Sequence, residues 1–327
     1  MTTPVDALDT LDAAAVGSAD GPPDLATLLA AGERAVFHGA PGSAVSALEQ
    51  AVGLAQREGR HAEVAAAAWL LGVALSASGR YGGGLAVLIP VLETAETSDE
   101  ASVRPEIRLF GSLAAATAAS VHRGLGRHAE AAVLDTRGLT LAEGSEEAVF
   151  DCVLGLTVDA IGAAEAEAAR SWIAKATLLV EGHGGDWWRQ QVRLSWARAE
   201  LALLDDSPAD AIGWAARAVE GAEAARAPRH VAKGLLFYGV AELQSGASEG
   251  IATLRRAATL AEGLGTVPLI WQARALLGVL LGGEETEEGK RSLATARSAV
   301  LTIAGDLPVA LREAWLAQPN VSAVLGG

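Results

Sequence analysis

Eight tryptophans, six histidines and one cysteine are the scarce, chemically versatile side chains of this 327-residue sequence. The histidines stand at 38, 61, 122, 128, 183 and 230. No two lie four apart around a glutamate, so the helical zinc-protease pattern is missing. Imidazoles without a clustered Cys or carboxylate set seldom bind zinc, and these read as polar residues near helix ends. Cys152 lies in the apolar run Val149-Phe-Asp-Cys-Val-Leu154, where a thiol behaves as a small buried hydrophobe. No Gly-x-Ser-x-Gly elbow is present. Gly289-Lys290 is followed by Arg291, and Glu284 stands where a phosphate loop needs its first glycine. These readings predict neither a catalytic residue nor a cofactor nor a metal, and no enzyme.

Tryptophan offers more. The segment Trp187-Trp-Arg-Gln-Gln-Val-Arg-Leu-Ser-Trp-Ala-Arg198 interleaves aromatic and basic side chains. Arginines there can grip a carboxylate through paired N–H groups, and tryptophan supplies the anchor area of binding hot spots. The competing reading is a Trp-rich helix interface with solvated arginines. The chain carries a formal net charge of −15, which argues against a nucleic-acid surface because phosphate binding draws on Lys and Arg.

The elements that must hold such a segment recur along the chain. One octet reads Arg137-Gly-Leu-Thr-Leu-Ala-Glu-Gly144, returns as Lys175-Ala-Thr-Leu-Leu-Val-Glu-Gly182, and again as Arg256-Ala-Ala-Thr-Leu-Ala-Glu-Gly263. Looser copies start at 50, 90, 217 and 297, giving a period near 40. In a chain that is 50% hydrophobic and rich in helix-forming Ala and Leu, that period predicts stacked helical hairpins. No stretch alternates with period two, so no strand is predicted. Glycines at 59, 144, 182, 263 and 305 follow or end the second helices and suit left-handed closing residues. Asp206-Ser207 before Pro208, and Asp306 before Pro308, read as N-caps. Val309 to Ala317 reads as one short terminal helix stopped at Gln318-Pro319.

Trp69-Leu-Leu-Gly72 with Gly79-Arg-Tyr81, Phe237-Tyr-Gly239 and Leu276-Leu-Gly278, followed by small-residue pairs such as Ala169/Ala176 and Ala211/Ala218, resemble the tetratricopeptide repeat. The longer period and the missing closing prolines resemble the long-helix variant of bacterial signalling and transcription regulators. The resemblance implies an all-α solenoid of about seven hairpins in a right-handed superhelix, with first helices lining a concave groove. In this register the groove receives Trp69, Arg193, Trp196, Glu200, Lys233, Leu236 and Gln272. It further implies a non-enzymatic scaffold or adaptor that binds a protein or peptide partner. The alternative is a module that senses a small molecule or signalling peptide inside the superhelix.

The organisation expected is a flexible acidic leader over residues 1–23, a repeat domain over 24–305, and a capping helix and tail over 306–327. The N-terminus lacks the basic and apolar regions of a secretory signal. The longest apolar run, Val64 to Leu75, is short of the ~20 residues a membrane span needs. A cytoplasmic protein with no membrane partner is the expectation. Self-association through solenoid ends or outer faces is compatible with the sequence, which does not specify it.

Overall fold

A computed structural model describes residues 23–97 and 105–326. The predicted leader therefore falls almost wholly outside the described residues. Sixteen α-helices and no strands make up the described chain. The first three hairpins are α1 (Leu25–His38) with α2 (Val45–Arg57), α3 (His61–Ala77) with α4 (Tyr81–Thr97), and α5 (Pro105–Gly124) with α6 (His128–Leu141). The next two are α7 (Glu146–Gly162) with α8 (Ala166–Glu181), and α9 (Trp188–Leu204) with α10 (Pro208–Ala224). Then come α11 (Pro228–Gln244) with α12 (Gly250–Leu264), and α13 (Val267–Leu280) with α14 (Glu287–Asp306). The seven hairpins are the expected solenoid. Two short helices follow, α15 (Val309–Leu316) and α16 (Pro319–Leu325). The sequence predicted only the first, treating Pro319 as a stop; it instead starts a new helix, where its missing N–H is harmless. Among the described residues no helix is long and apolar enough to cross a membrane.

Eight inter-helix turns share one hydrogen-bond pattern. A left-handed residue follows the helix, and the next N–H returns to a carbonyl five residues back. Arg60 N reaches Ala55 O at 3.0 Å, Arg80 N reaches Leu75 O at 2.9 Å, and Thr266 N reaches Ala261 O at 3.0 Å. This closure satisfies carbonyls that the last helical turn leaves free. Glycine takes the left-handed position at 59, 79, 126, 246 and 265, but Ala164, Asp206 and Arg226 take it at the other three. Asp206 is thus the closing residue, not a cap. Ser207 stands at the N-cap of α10 without a side-chain capping bond. Of the other predicted closing glycines, Gly144 is left-handed. Gly182 has φ −80. Gly263 and Gly305 lie inside α12 and α14, which run one residue further.

In four of the seven hairpins the two helices approach through a leucine seated on a glycine. A Cβ added at Gly32, Gly72, Gly239 or Gly278 would meet Leu48, Leu88, Leu254 or Leu293 at 2.3–2.8 Å. Ala169, Ala176, Ala211 and Ala218 on the second helices are fully buried, as close packing of small residues requires. Consecutive first helices pack directly on one another, whereas consecutive second helices hardly meet. The stack therefore curves with first helices inside.

The curve closes on itself. Asp306, predicted to cap its own C-terminal neighbour, ends α14 and accepts the Gly83 backbone N–H at 2.9 Å. Gln318 donates to the Leu125 carbonyl. Tyr81, Val121 and Leu125 from hairpins two and three share one apolar cluster with Trp271, Ile303 and Trp315 from the last hairpin and cap. Farther round, His38 at the end of α1 places Nδ1 3.1 Å from the Ala225 carbonyl, and α1 contacts α11.

The three non-glycine left-handed residues are local liabilities, since that conformation strains any side chain with a Cβ. Ala164→Gly and Arg226→Gly are each expected to raise unfolding free energy by about 0.5–1 kcal/mol, after the flexibility glycine adds to the unfolded chain is deducted. Urea midpoints at an unchanged slope are the measurement. A lowered midpoint would contradict the strain.

Candidate functional site

The repeat register aligns charges on the inner helices. The second and sixth residues of α7 are Glu147 and Asp151, those of α9 are Arg189 and Arg193, and those of α11 are Arg229 and Lys233. The same positions of α13 are Pro268 and Gln272. Residues four apart share a helix face, so the wall presents an acidic rung, two basic rungs and an uncharged one.

The first two rungs pair. Asp151 accepts from Arg193, and from Arg189 at 3.3 Å. Burial draws the Asp151 carboxyl up, but the two guanidiniums together hold it below its ordinary value. Gln190 donates to Glu147 at 2.6 Å. The third rung is different. Lys233 sits 4.7 Å from the Trp196 ring centroid, a cation–π contact. Burial lowers its pKa to about 8, with Glu200 opposing. Arg229 has no hydrogen bond or ion pair to a carboxylate among the described residues, and its Nε is buried without a partner. Burial and the neighbouring Arg193 and Arg189 bring its pKa down to about 10. His230 stacks on Trp196 with centroids 5.3 Å apart. Burial and the adjoining cations drive its pKa well below the ordinary value, so it is neutral at pH 7. His230 Nδ1 and the Trp196 indole N–H are also buried without partners. From across the ring, α1 supplies Phe37, 5.5 Å from the Arg189 guanidinium.

Between α5, α6 and α7 the charges compensate. Arg123 of α5 bridges Asp135 and Asp159, the latter at 3.0 Å, and His128 Nδ1 lies 3.2 Å from Asp159. Burial raises Glu200, with Lys233 opposing.

Of the residues the sequence assigned to the groove, Arg193, Trp196, Glu200, Lys233 and Leu236 lie on α9 and α11 around this cluster, but Trp196 and Leu236 are buried in the apolar core between those helices. Gln272 is half-buried one rung beyond, on α13. Trp69 occupies the matching register of α3, but there it is 2% exposed. It packs between Phe37 and Phe110, with centroids at 6.2 and 5.8 Å, and donates to Thr117. Asp151, Arg229 and His230 were missed. Counting forty residues on from Arg189 and Arg193 leads to Arg229 and Lys233, a signal that needed the helix starts to be usable. The Trp/Arg segment itself divides. Arg198 points to the outer side, where Arg198 and Arg217 flank the Trp214 ring at 4.4 and 4.6 Å beside an open cleft of about 290 Å³. Cys152 is fully buried against Ser112, and burial pushes its thiol pKa far up. No group of three or more His, Cys, Asp or Glu among the described residues is placed to hold a metal.

Comparison with known proteins gives a fold. No protein-family description matches the sequence, and no curated protein does. Among solved structures, the Rap conjugation gene regulator of plasmid pLS20 in complex with the Phr* peptide is similar with TM-score 0.63 and 16% identity, over 93% of this chain and 84% of that one. Aspartyl phosphate phosphatase F from Bacillus subtilis is similar with TM-score 0.43 and 15% identity, over 95% and 85%. The first likeness establishes a TPR-like helical-repeat fold.

Asp151 is the one carboxylate bound by both Arg189 and Arg193. Asp151→Asn leaves two half-buried guanidiniums without a counter-charge, and should lower stability by about 2 kcal/mol, less than for fully buried ions because both retain some water. Chemical denaturation of the two proteins measures it. Equal stability would mean the pair is solvated.

Proposed function

We propose that the chain is a non-enzymatic, TPR-like regulatory adaptor that binds a peptide, or an extended segment of a partner protein, against its inner wall between α9 and α11. The observation that carries the reading is the concentration of unpartnered polar atoms there. Arg229 Nε, Trp196 Nε1 and His230 Nδ1 lack hydrogen-bond partners within one small region of wall. Buried polar groups are ordinarily satisfied, and the orphaned Arg229 Nε, on a half-buried side chain beside Arg193 and Arg189, suits a bound molecule that satisfies it. The closed stack favours the same reading, since a wall already held in shape loses little freedom on binding. The likeness in fold to a regulator solved with a peptide bound adds support by analogy. The second reading, a sensor of a small molecule at the same wall, differs only in the occupant.

The test begins with the full chain recovered from its native host under non-denaturing conditions, with intact-mass measurement of what co-purifies. A peptide is expected. The synthetic peptide, added back at a hundredfold excess over Kd, should stabilise the protein by about 2.7 kcal/mol and change its tryptophan emission. Arg193→Ala combined with Trp196→Phe should weaken binding tenfold or more. Unchanged affinity in that double variant would sink the site, and a co-purifying metabolite with the same sensitivity would favour the sensor.

A further inference from the structure

The wall also specifies the charge of what it binds. Arg189 and Arg193 share the Asp151 carboxylate. Lys233 faces Glu200. Of the other acids on and beside α7, Asp159 and, from α6, Asp135 pair with Arg123, with His128 beside Asp159, and Glu147 accepts from Gln190. His230 adds no charge. Arg229 is left over, half-buried, beside two guanidiniums and opposite none of these carboxylates. Three guanidiniums and an ammonium thus face three carboxylates, Asp151, Glu200 and Glu147, across α7, α9 and α11, a surplus of one cation. A buried cation without a partner is costly, and a chain with −15 net charge has carboxylates in plenty with which to neutralise it. It does not do so here. The α1 end closes over this region through Phe37 and His38, which limits access of bulk water and strengthens any charge pairing inside.

We infer that Arg229, with Arg193 and Lys233, forms a seat for an oxyanion carried by the ligand, namely an acidic side chain or the terminal carboxylate of a peptide. Arg229 supplies the planar fork that carboxylates fit. This inference rests on the proposed peptide-binding reading, and goes further by fixing the ligand's charge.

Two arms test it on the full chain. In the first, melting temperature is compared in sodium sulfate and in sodium chloride of matched ionic strength. Sulfate also stabilises proteins generally by exclusion from their surface, so the reading is the excess over Arg229→Gln. Wild type should gain about 2 °C or more beyond that variant. Arg57→Gln, an exposed charge at the end of α2, should respond as wild type does. Arg229→Gln removes an unpaired charge and should itself melt no lower than wild type. An equal sulfate response in wild type and Arg229→Gln overturns the seat. In the second arm, two synthetic pentapeptide pools are titrated by tryptophan fluorescence. One carries Asp, Glu and a free C-terminus; the other carries Asn, Gln and an amidated C-terminus. The acidic pool should bind about tenfold more tightly, with the preference lost in Arg229→Gln. Equal binding by both pools overturns the oxyanion seat and leaves peptide binding standing. A sulfate response confined to proteins that retain Arg229, with no binding by either pool, supports the seat and counts against a peptide as its occupant. A chimeric pair, acidic side chains with an amidated end and neutral side chains with a free end, separates the two sources of carboxylate.

Discussion

Small residues where the two helices of a hairpin cross set the distance between them, in four of the seven hairpins as a leucine pressed onto a glycine, and most of the architecture follows from that distance. Gly72 and Leu88, or Gly278 and Leu293, leave no room for another methyl group. Helices held that close bury their alanines completely, so the hairpin is thin and the next one can stack upon it. Because hairpin length varies little, equivalent residues on successive inner helices fall side by side. The charge rungs of α7, α9 and α11 are a product of this spacing, since Arg189 and Arg229 have the same place in their helices. A one-residue shift of register would turn either side chain about 100° away from the wall.

The wall shows how a repeat can separate structural charges from available ones. Asp151 pairs with both arginines of one basic rung and ties α7 to α9. Arg123 does similar service between α6 and α7 through Asp135 and Asp159. Both arrangements fasten neighbouring helices. The third rung is built to the same plan but without an acid opposite Arg229. The difference lies in one uncharged rung, Pro268 and Gln272, standing where a second acidic rung would have completed the pattern.

The fold was largely legible in the sequence because its determinants are local and repeated. The octets fixed the period, the Leu-Gly pairs marked the tight crossings, and Ser245-Gly246-Ala247 shows a helix closure that glycine makes readable. Closures at Ala164, Asp206 and Arg226 carry no such mark, and Asp206 was accordingly taken for a cap. The site was legible only in part. Helical spacing put Arg193, Trp196 and Glu200 on one face, and alignment of repeats added Lys233 and Leu236. Trp69 shares that register yet is core, because its neighbours α1 and α5 bring Phe37 and Phe110 against it. What periodicity cannot convey is which charges are already satisfied. That depends on Asp151 and Arg229, whose partners or lack of them are set by contacts between helices about forty residues apart.

The bond from Asp306 to Gly83, spanning 223 residues, alters how the whole stack can come apart. In an open solenoid the terminal repeat touches one neighbour only, so it frays first and unfolding travels inward. Here the last hairpin and its cap also cover Tyr81, Val121 and Leu125 of the second and third hairpins. Peeling away hairpin seven would therefore bare apolar surface at two distant places along the chain at once. The repeats thereby gain the all-or-none character of a small globular domain.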